Sequence, residues 1–281
     1  MEFAKVHSLG NDFLVVNRGA PAGGYLSGLA RRILDRHTGA GADGLLFISV
    51  KNRSEARVGF RIFNADGSEA EISGNGLRCA AAFLYLRKLI EGRRILFETS
   101  AGERACEFLG RKDLVFEFRA DMGSPRFASA EIPFDDGPSH DRIVDYPLVL
   151  NQRTYPITCV NIGNPHCCVF IDHFPPAQIL FHQVAPAIEQ HPFFPIRTNV
   201  EVIHILNKRE IEVAFWERGV GETMSSGSGA CAAAVASILK GLTDREVLVR
   251  TKLGRLTVLW EKDRIFQSGP AEPVYTGEYL G

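Results

Sequence analysis

Along this chain, short runs rich in Val, Ile and Phe recur, and many alternate apolar with polar residues in period two. FAKVH, DFLVVN, GLLFISV, RVGFRIFNA, RILFET and LVFEFRADMG lie in the first half; YPITCVNI, HCCVFI, NVEVIHIL, EIEVAFWE, EVLVR and RLTVLW lie in the second. Period two marks strands with one face buried, and the short turns between runs favour antiparallel pairing over βαβ winding. A helical period is clear only around residues 24–36, 76–90, 177–190 and 229–241. The Pro- and Gly-bearing stretch around 123–150 reads as a connection.

The pattern is written twice. Leu9-Gly10-Asn11 returns as Ile162-Gly163-Asn164, and Ser73-Gly74-Asn75-Gly76 returns as Ser226-Gly227-Ser228-Gly229, both 153 positions later. An Ala-rich helix follows each Ser-Gly-x-Gly, and two matches at one offset argue for internal duplication. The expected fold is α+β with mainly antiparallel sheets. It comprises two pseudo-symmetric lobes, each a curved sheet around a central helix, with a site in the cleft between them. The expected divisions are an N-terminal lobe at 1–125, a C-terminal lobe at 126–265, and a segment at 266–281 that returns to the first lobe.

Composition narrows the partners. With 32 basic against 33 acidic residues there is no basic stripe for a phosphate backbone, so nucleic acid is not expected. The start, MEFAKVHSLGNDFLVVN, lacks the charged and apolar regions of a secretory signal, and no apolar run reaches the ~18 residues of a membrane span. A cytoplasmic location without membrane contact is the expectation. The six cysteines show no C-x-x-C or Cys/His metal spacing and read as free buried thiols, so no metal site is expected.

Candidate chemistry gathers at the two Ser-Gly-x-Gly segments. Alone, each is an ordinary helix cap. Paired, they offer two helix N-termini, each with bare N–H groups and the positive end of a dipole, able to hold one carboxylate. Residues 73 and 226 would then view the neighbouring carbon from opposite faces, as proton removal and return by two groups requires. Neither segment is a P-loop, a dinucleotide fingerprint or a hydrolase elbow. Near them, Glu217 and Arg218 form either a surface ion pair or a grip on an ammonium and a carboxylate. Asn11, Asn164 and Asn199 sit at strand ends, where Asn is also a turn former, and His166 reads equally as a core histidine or a site residue.

The stretches HSLGNDF, RHTGAGADG, FNADGSEAEISGNGLRC, NIGNPH, HPFFPIRTNVEV and WERGVGETMSSGSGACA together resemble the diaminopimelate epimerase family, in the family's order and across essentially the whole chain. The resemblance implies the same two-lobed fold and interconversion of LL- and meso-diaminopimelate for lysine and cell-wall precursor synthesis. It also implies neither pyridoxal phosphate nor metal, and a small-molecule substrate as the partner. Carried over by position, Asn11, Asn64, Asn164, Asn199, Glu217 and Arg218 would hold the distal amino-acid end. Gly74, Asn75, Gly227 and Ser228 would cradle the reacting α-carboxylate. A homodimer is the expected assembly.

The chain departs from the family at both reacting positions, where Ser73 and Ser226 stand in place of cysteines. An alcohol is far less acidic than a thiol, so ordinary turnover is not expected from them. The pair fits either a deliberate double Cys-to-Ser replacement or a natural relative with altered chemistry. Two rival functions remain at this stage: a racemase or lyase acting on another amino acid, and a catalytically silent amino-acid-binding protein.

Overall fold

The computed structural model describes residues 1–19, 25–174 and 180–281, and it divides into two compact units. One unit comprises Met1–Asp121 with Ser268–Gly281, the other Met122–Gln267. In the first lie β1 (Glu2–Ser8), β2 (Asn11–Asn17), α1 (Tyr25–Leu34), β3 (Gly44–Asn52), β4 (Arg57–Asn64), β5 (Glu69–Ala70), α2 (Gly74–Leu86), β6 (Arg94–Thr99) and β7 (Gly102–Lys112). Strand β8 (Val115–Gly123) runs over the boundary. The second unit holds β9 (Tyr146–Leu150), β10 (Arg153–Asn161), β11 (Pro165–Ile171), a π-helical turn at Leu180–Val184, α3 (Ala185–Glu189), β12 (Asn199–Asn207), β13 (Glu210–Glu217), β14 (Gly221–Thr223), α4 (Gly227–Leu239), β15 (Glu246–Thr251) and β16 (Gly254–Glu261). Strand β17 (Arg264–Glu278) carries the chain back.

Burial explains how the strands pair. β8, β13 and β17 bury alternate residues, and β13 pairs antiparallel with β12. β2, β3, β11 and β12 each bury five residues in a row and pair in parallel, β2 with β3 and β11 with β12; shorter parallel ladders join β4 to β6 and β13 to β15. Strands covered on both faces read as continuous apolar runs. Between β1 and β2, Leu9 and Gly10 both take positive φ, 50° and 80°, the backbone of a tight two-residue hairpin.

Helix α2 is buried from Gly74 to Leu84 and packs on β1, β2, β3 and β7. Helix α4 is likewise buried, along Ala230–Ser237, against β10, β11, β12 and β16. Their alanines let strand backbones approach closely. α1 buries only one stripe, Leu26, Leu29, Ala30, Ile33 and Leu34, at the i, i+3, i+4, i+7 spacing of an amphipathic helix. β4 and α2 recur as β13 and α4 with both ends displaced by 153 residues.

Several boundaries differ from the pattern-based expectation. α2 and α4 begin two residues earlier, at Gly74 and Gly227, because Ser73 and Ser226 cap them. α1 stops at Leu34, where Asp35 Oδ1 accepts the N–H groups of His37 and Thr38 and turns the chain out of the helix. The helix expected at 177–190 is a π-helical turn followed by the single turn of α3. Residue 24 and residues 177–179 of those expected helices lie outside the described residues. The connection at 123–150 contains strand β9, and β5, β7, β14 and β17 were not marked by periodicity. All six cysteines are free and buried, as their spacing implied. No helix among the described residues is long and apolar enough to cross a membrane.

Candidate active site

The first cluster is built on the start of α2. Ser73 is its N-cap, with extended backbone (φ −143°, ψ 122°), and its Oγ accepts the Gly76 N–H at 3.0 Å. The N–H groups of Gly74 and Asn75 belong to the first turn and have no intrahelical acceptor. Ser73 is partly exposed and Asn75 is buried. The Asn75 amide donates to Asn11 Oδ1 at 3.0 Å, and Asn11 Nδ2 donates to Asp43 Oδ2 at 2.9 Å. Behind Asn75, the fully buried Arg78 donates from Nη2 to Asn75 Oδ1 and, at 3.0 Å, to Ser8 Oγ.

Asp12 and Asp43 lace β2 to β3: each accepts the other's backbone N–H, at 2.9 and 3.1 Å. Arg36 grips both oxygens of Asp12 and also Asp43, while Lys5 Nζ lies 2.8 Å from Asp12. Burial alone would raise the Asp12 carboxyl, but Arg36 and Lys5 outweigh it and hold it at about 2. Asn64 stands apart from this network. It is exposed at the end of β4 and donates to Ser68 Oγ at 3.0 Å.

The second cluster, in the other unit, repeats the frame with different chemistry. Ser226 caps α4 in the same extended backbone (φ −131°, ψ 127°), and its Oγ accepts the Gly229 N–H at 3.3 Å. Gly227 and Ser228 supply the open first-turn N–H groups. Glu217, at the end of β13, accepts from Thr223 Oγ1 at 3.1 Å. Burial raises its carboxyl, and hydrogen bonds from Thr223 and Ser226 pull it part of the way back. Glu217 and Arg218 therefore do not form the surface ion pair that their adjacency allowed. Arg218 is exposed and donates from Nη1 to the Ile196 carbonyl at 3.0 Å.

Asn199 is a buried strut. Its Nδ2 donates to Pro165 O and its Oδ1 accepts the Arg218 N–H, both at 2.9 Å. His166 is fully buried, with Nδ1 2.7 Å from Glu201 Oε1 and Nε2 2.8 Å from Asn164 Oδ1. It is thus a core histidine and a neighbour of Asn164 at once. Burial raises the Glu201 carboxyl, with His166 the main opposing influence. Gly229 has to be glycine, since a Cβ there would lie 2.7 Å from Glu201 Oε1 and 2.9 Å from the Phe215 ring.

Sequence reasoning missed Arg36, Asp43, Arg78, Glu189 and Glu201. Two left a visible mark: Arg78 is a charge inside an Ala-rich buried helix, and Glu201 interrupts the apolar run of β12. Buried Glu189 left none. Its Oε2 accepts the Trp216 indole N–H at 2.8 Å and its Oε1 the Gly219 N–H at 2.9 Å, pinning the turn that carries Glu217 and Arg218. Among the described residues no group of three or more His, Cys, Asp or Glu is placed to hold a metal.

The family model described as diaminopimelate epimerase matches residues 3–128 and 158–274. The diaminopimelate epimerase of Pelotomaculum thermopropionicum is 45% identical over 282 residues, covering 99% of both chains. That of Moorella thermoacetica is 42% identical over 282 residues, again with 99% of each covered. Among solved structures, a probable proline racemase from Agrobacterium radiobacter with bound carbonate superposes with a TM-score of 0.72 at 16% identity, covering 99% of this chain and 92% of the other. At that identity the likeness is one of fold.

Proposed function

We propose, for a chain that belongs to the diaminopimelate epimerase family, a site in which residues 73 and 226 occupy the two acid/base positions of proton transfer at Cα. The protein is an isomerase of the epimerase kind, and its relatives place it in amino-acid biosynthesis. The observation that supports the site assignment is the pair of serine-capped helix starts, 153 residues apart, each with an open first turn. Removal of the α-proton leaves negative charge spreading into the α-carboxylate. First-turn N–H groups and the positive helix ends stabilise charge there.

In this reading the N–H groups of Gly74, Asn75, Gly227 and Ser228 hold the reacting α-carboxylate. Asn11, Asn64, Asn164, Asn199, Glu217 and Arg218 recognise the distal amino-acid end, and His166 supports Asn164. The fold is read as two pseudo-symmetric lobes, each a curved sheet about its helix. The protein works as a homodimer in the cytoplasm. With serine at 73 and 226 it binds diaminopimelate and turns it over very slowly.

Titration calorimetry with meso-diaminopimelate, and with lysine, which lacks the distal carboxylate, tests the reading. Micromolar binding of the first and at least tenfold weaker binding of the second are expected. Arg218→Ala should remove most of that preference, since a charge-assisted hydrogen bond contributes about 1.5–3 kcal/mol. Equal binding of the two ligands, or a preference untouched by Arg218→Ala, would point to a different amino-acid substrate.

A further inference from the structure

The hydrogen-bond chain beneath the start of α2 has a direction that its two ends impose. At one end is Arg78, wholly buried at the base of α2. A guanidinium has five N–H donors and no acceptor, so whatever Asn75 turns toward it must be its oxygen. The oxygen is what it meets: Arg78 Nη2 donates to Asn75 Oδ1. With its oxygen committed, Asn75 can offer only its NH2 group to the next member, and Nδ2 donates to Asn11 Oδ1 at 3.0 Å. Asn11 is thereby compelled to present its own NH2 on the other side, where Asp43 Oδ2 accepts at 2.9 Å.

The far end is fixed as firmly. The Asp43 carboxylate is acceptor-only, and each oxygen is already engaged by donors: Oδ1 by Arg36 at 2.7 Å, Oδ2 by the Asp12 N–H at 3.1 Å as well as by Asn11. A permanent donor at the root and a permanent acceptor at the tip allow one arrangement of the two amides between them. Reversing Asn11 would set its NH2 against the Asn75 NH2 and its carbonyl against a carboxylate.

We propose that Arg78 and Asp43 are positioning residues that lock the Asn11 carboxamide in a single orientation, and so fix which of its atoms a ligand meets. Asn11 is partly exposed at the start of β2, directly after the Leu9–Gly10 turn. Only one of its two amide protons is spent on Asp43, so its nitrogen keeps a second N–H for a ligand acceptor. The ligand chemistry this selects is a carboxylate oxygen rather than an ammonium. That step rests on the diaminopimelate reading of the site; the locking of the amide does not.

The corresponding residue in the second unit, Asn164, has no such lock. It meets His166 Nε2, a ring nitrogen that donates or accepts according to tautomer, backed by Glu201 on Nδ1. One Asn of the duplicated pair is therefore oriented by permanent charges and the other by a titratable ring.

The test uses the full chain, labelled with ¹⁵N at Asn side chains, and three variants: Arg78→Lys, Arg78→Gln and Asp43→Asn. Lysine keeps the donor-only end, whereas glutamine can accept as well as donate and releases the direction. Asp43→Asn does the same at the exposed tip. Cross-relaxation from the Asn11 NH2 protons to the Asp43 Hβ protons should be strong in the parent and in Arg78→Lys. In Arg78→Gln and Asp43→Asn the Asn11 NH2 signals should double or broaden. Calorimetric Kd for meso-diaminopimelate should rise about tenfold or more in those two variants, the loss of one hydrogen bond to a charged acceptor, and less than twofold in Arg78→Lys.

A merely structural role for Arg78 would lower Tm in both of its variants without separating Lys from Gln in Kd. The proposal is overturned if the parent's Asn11 NH2 faces Asn75, or if Arg78→Gln and Asp43→Asn bind as the parent does. Should the parent bind no diaminopimelate at all, the functional reading fails, and the amide spectra still decide the lock.

Discussion

Replacing Ser73 and Ser226 together by cysteine should switch on fast Cα–H exchange. Both hydroxyls sit where an ionised group would be favoured, each accepting an N3 amide proton, at 3.0 Å from Gly76 and 3.3 Å from Gly229. That setting serves an alkoxide and a thiolate alike, and a helix terminus contributes only ~1–2 kcal/mol. What separates the two is intrinsic acidity. If an alcohol ionises roughly five pKa units above a thiol, forming the base from serine costs about 7 kcal/mol more, or roughly 10⁵ in rate. Cys79 cannot deputise, because it lies fully buried inside α2 and burial drives its thiol up. The assay is deuterium incorporation at Cα of LL-diaminopimelate in D₂O, followed by NMR. Negligible exchange is expected for the present chain, and exchange faster by about five orders of magnitude for the double variant. Single variants should fall far below the double one, since the two groups act as a unit. Cysteine is also the poorer cap, so losing two serine caps should cost about 2 kcal/mol and lower Tm by a few degrees. A double variant that binds diaminopimelate yet leaves its α-proton untouched would refute the acid/base assignment.

Three further outcomes follow from the described contacts. Asp12→Asn should cost roughly 2 kcal/mol at pH 7, because the native carboxyl is held at about 2 against an unfolded value of 3.8. A depressed carboxyl stabilises above its unfolded pKa, so the gap between parent and variant should close as pH falls from about 4 to 2; a denaturant-measured gap that ignores pH would contradict this. Gly229→Ala should destabilise by about 1–3 kcal/mol, as its Cβ lands 2.7 Å from Glu201 and 2.9 Å from Phe215, whereas Gly76→Ala meets nothing closer than 3.2 Å and should cost less in the same urea titrations. Glu189→Gln turns an NH2 toward the Trp216 or Gly219 N–H; calorimetry should show about tenfold weaker diaminopimelate binding, and unchanged affinity would mean that the 217–219 turn needs no such anchor.

Local signals made the capped helix starts, the duplication and the free thiols legible, because each is written within a few neighbouring residues. β7 escaped notice because its sequence, GERACEFLGRK, is dense in charge and buries only Cys106 fully. β17 carries two prolines, which argue against a strand. Yet its burial alternates over ten residues, and Pro273 falls where the pairing register with β1 shifts, a place where proline is tolerated. Three of the missed residues, Asp43, Glu189 and Glu201, share one cause. Asn11 meets Asp43 across 32 positions, His166 meets Glu201 across 35, and Trp216 meets Glu189 across 27, so each partnership exists only once distant segments have packed together.

The deeper asymmetry was invisible for the opposite reason: it lies under a repeat that reads as symmetric. The parallel pairs Phe13↔Gly44 and His166↔Asn199 hold corresponding places, and two residues beyond Gly44 and Asn199 stand Leu46 and Glu201. Leu46 lies beneath Gly76 at 3.4 Å, and Glu201 lies beneath Gly229 at 2.7 Å from the Cβ it would meet. At the ends of β4 and β13 the matching residues are Asn64 and Glu217. One helix start thus rests on apolar Leu46 with a buried cation, Arg78, one turn along; the other rests on a buried imidazole–carboxylate pair. A true racemase with mirror-image ligands has little reason to differentiate its two faces. Diaminopimelate offers one: only one of its α-carbons reacts, and the other stays L, so the two reacting forms are diastereomers rather than mirror images. A duplicated frame that keeps both capped helix starts while diverging in the charges beneath them matches a substrate whose reacting carbon inverts while its other α-carbon keeps one configuration.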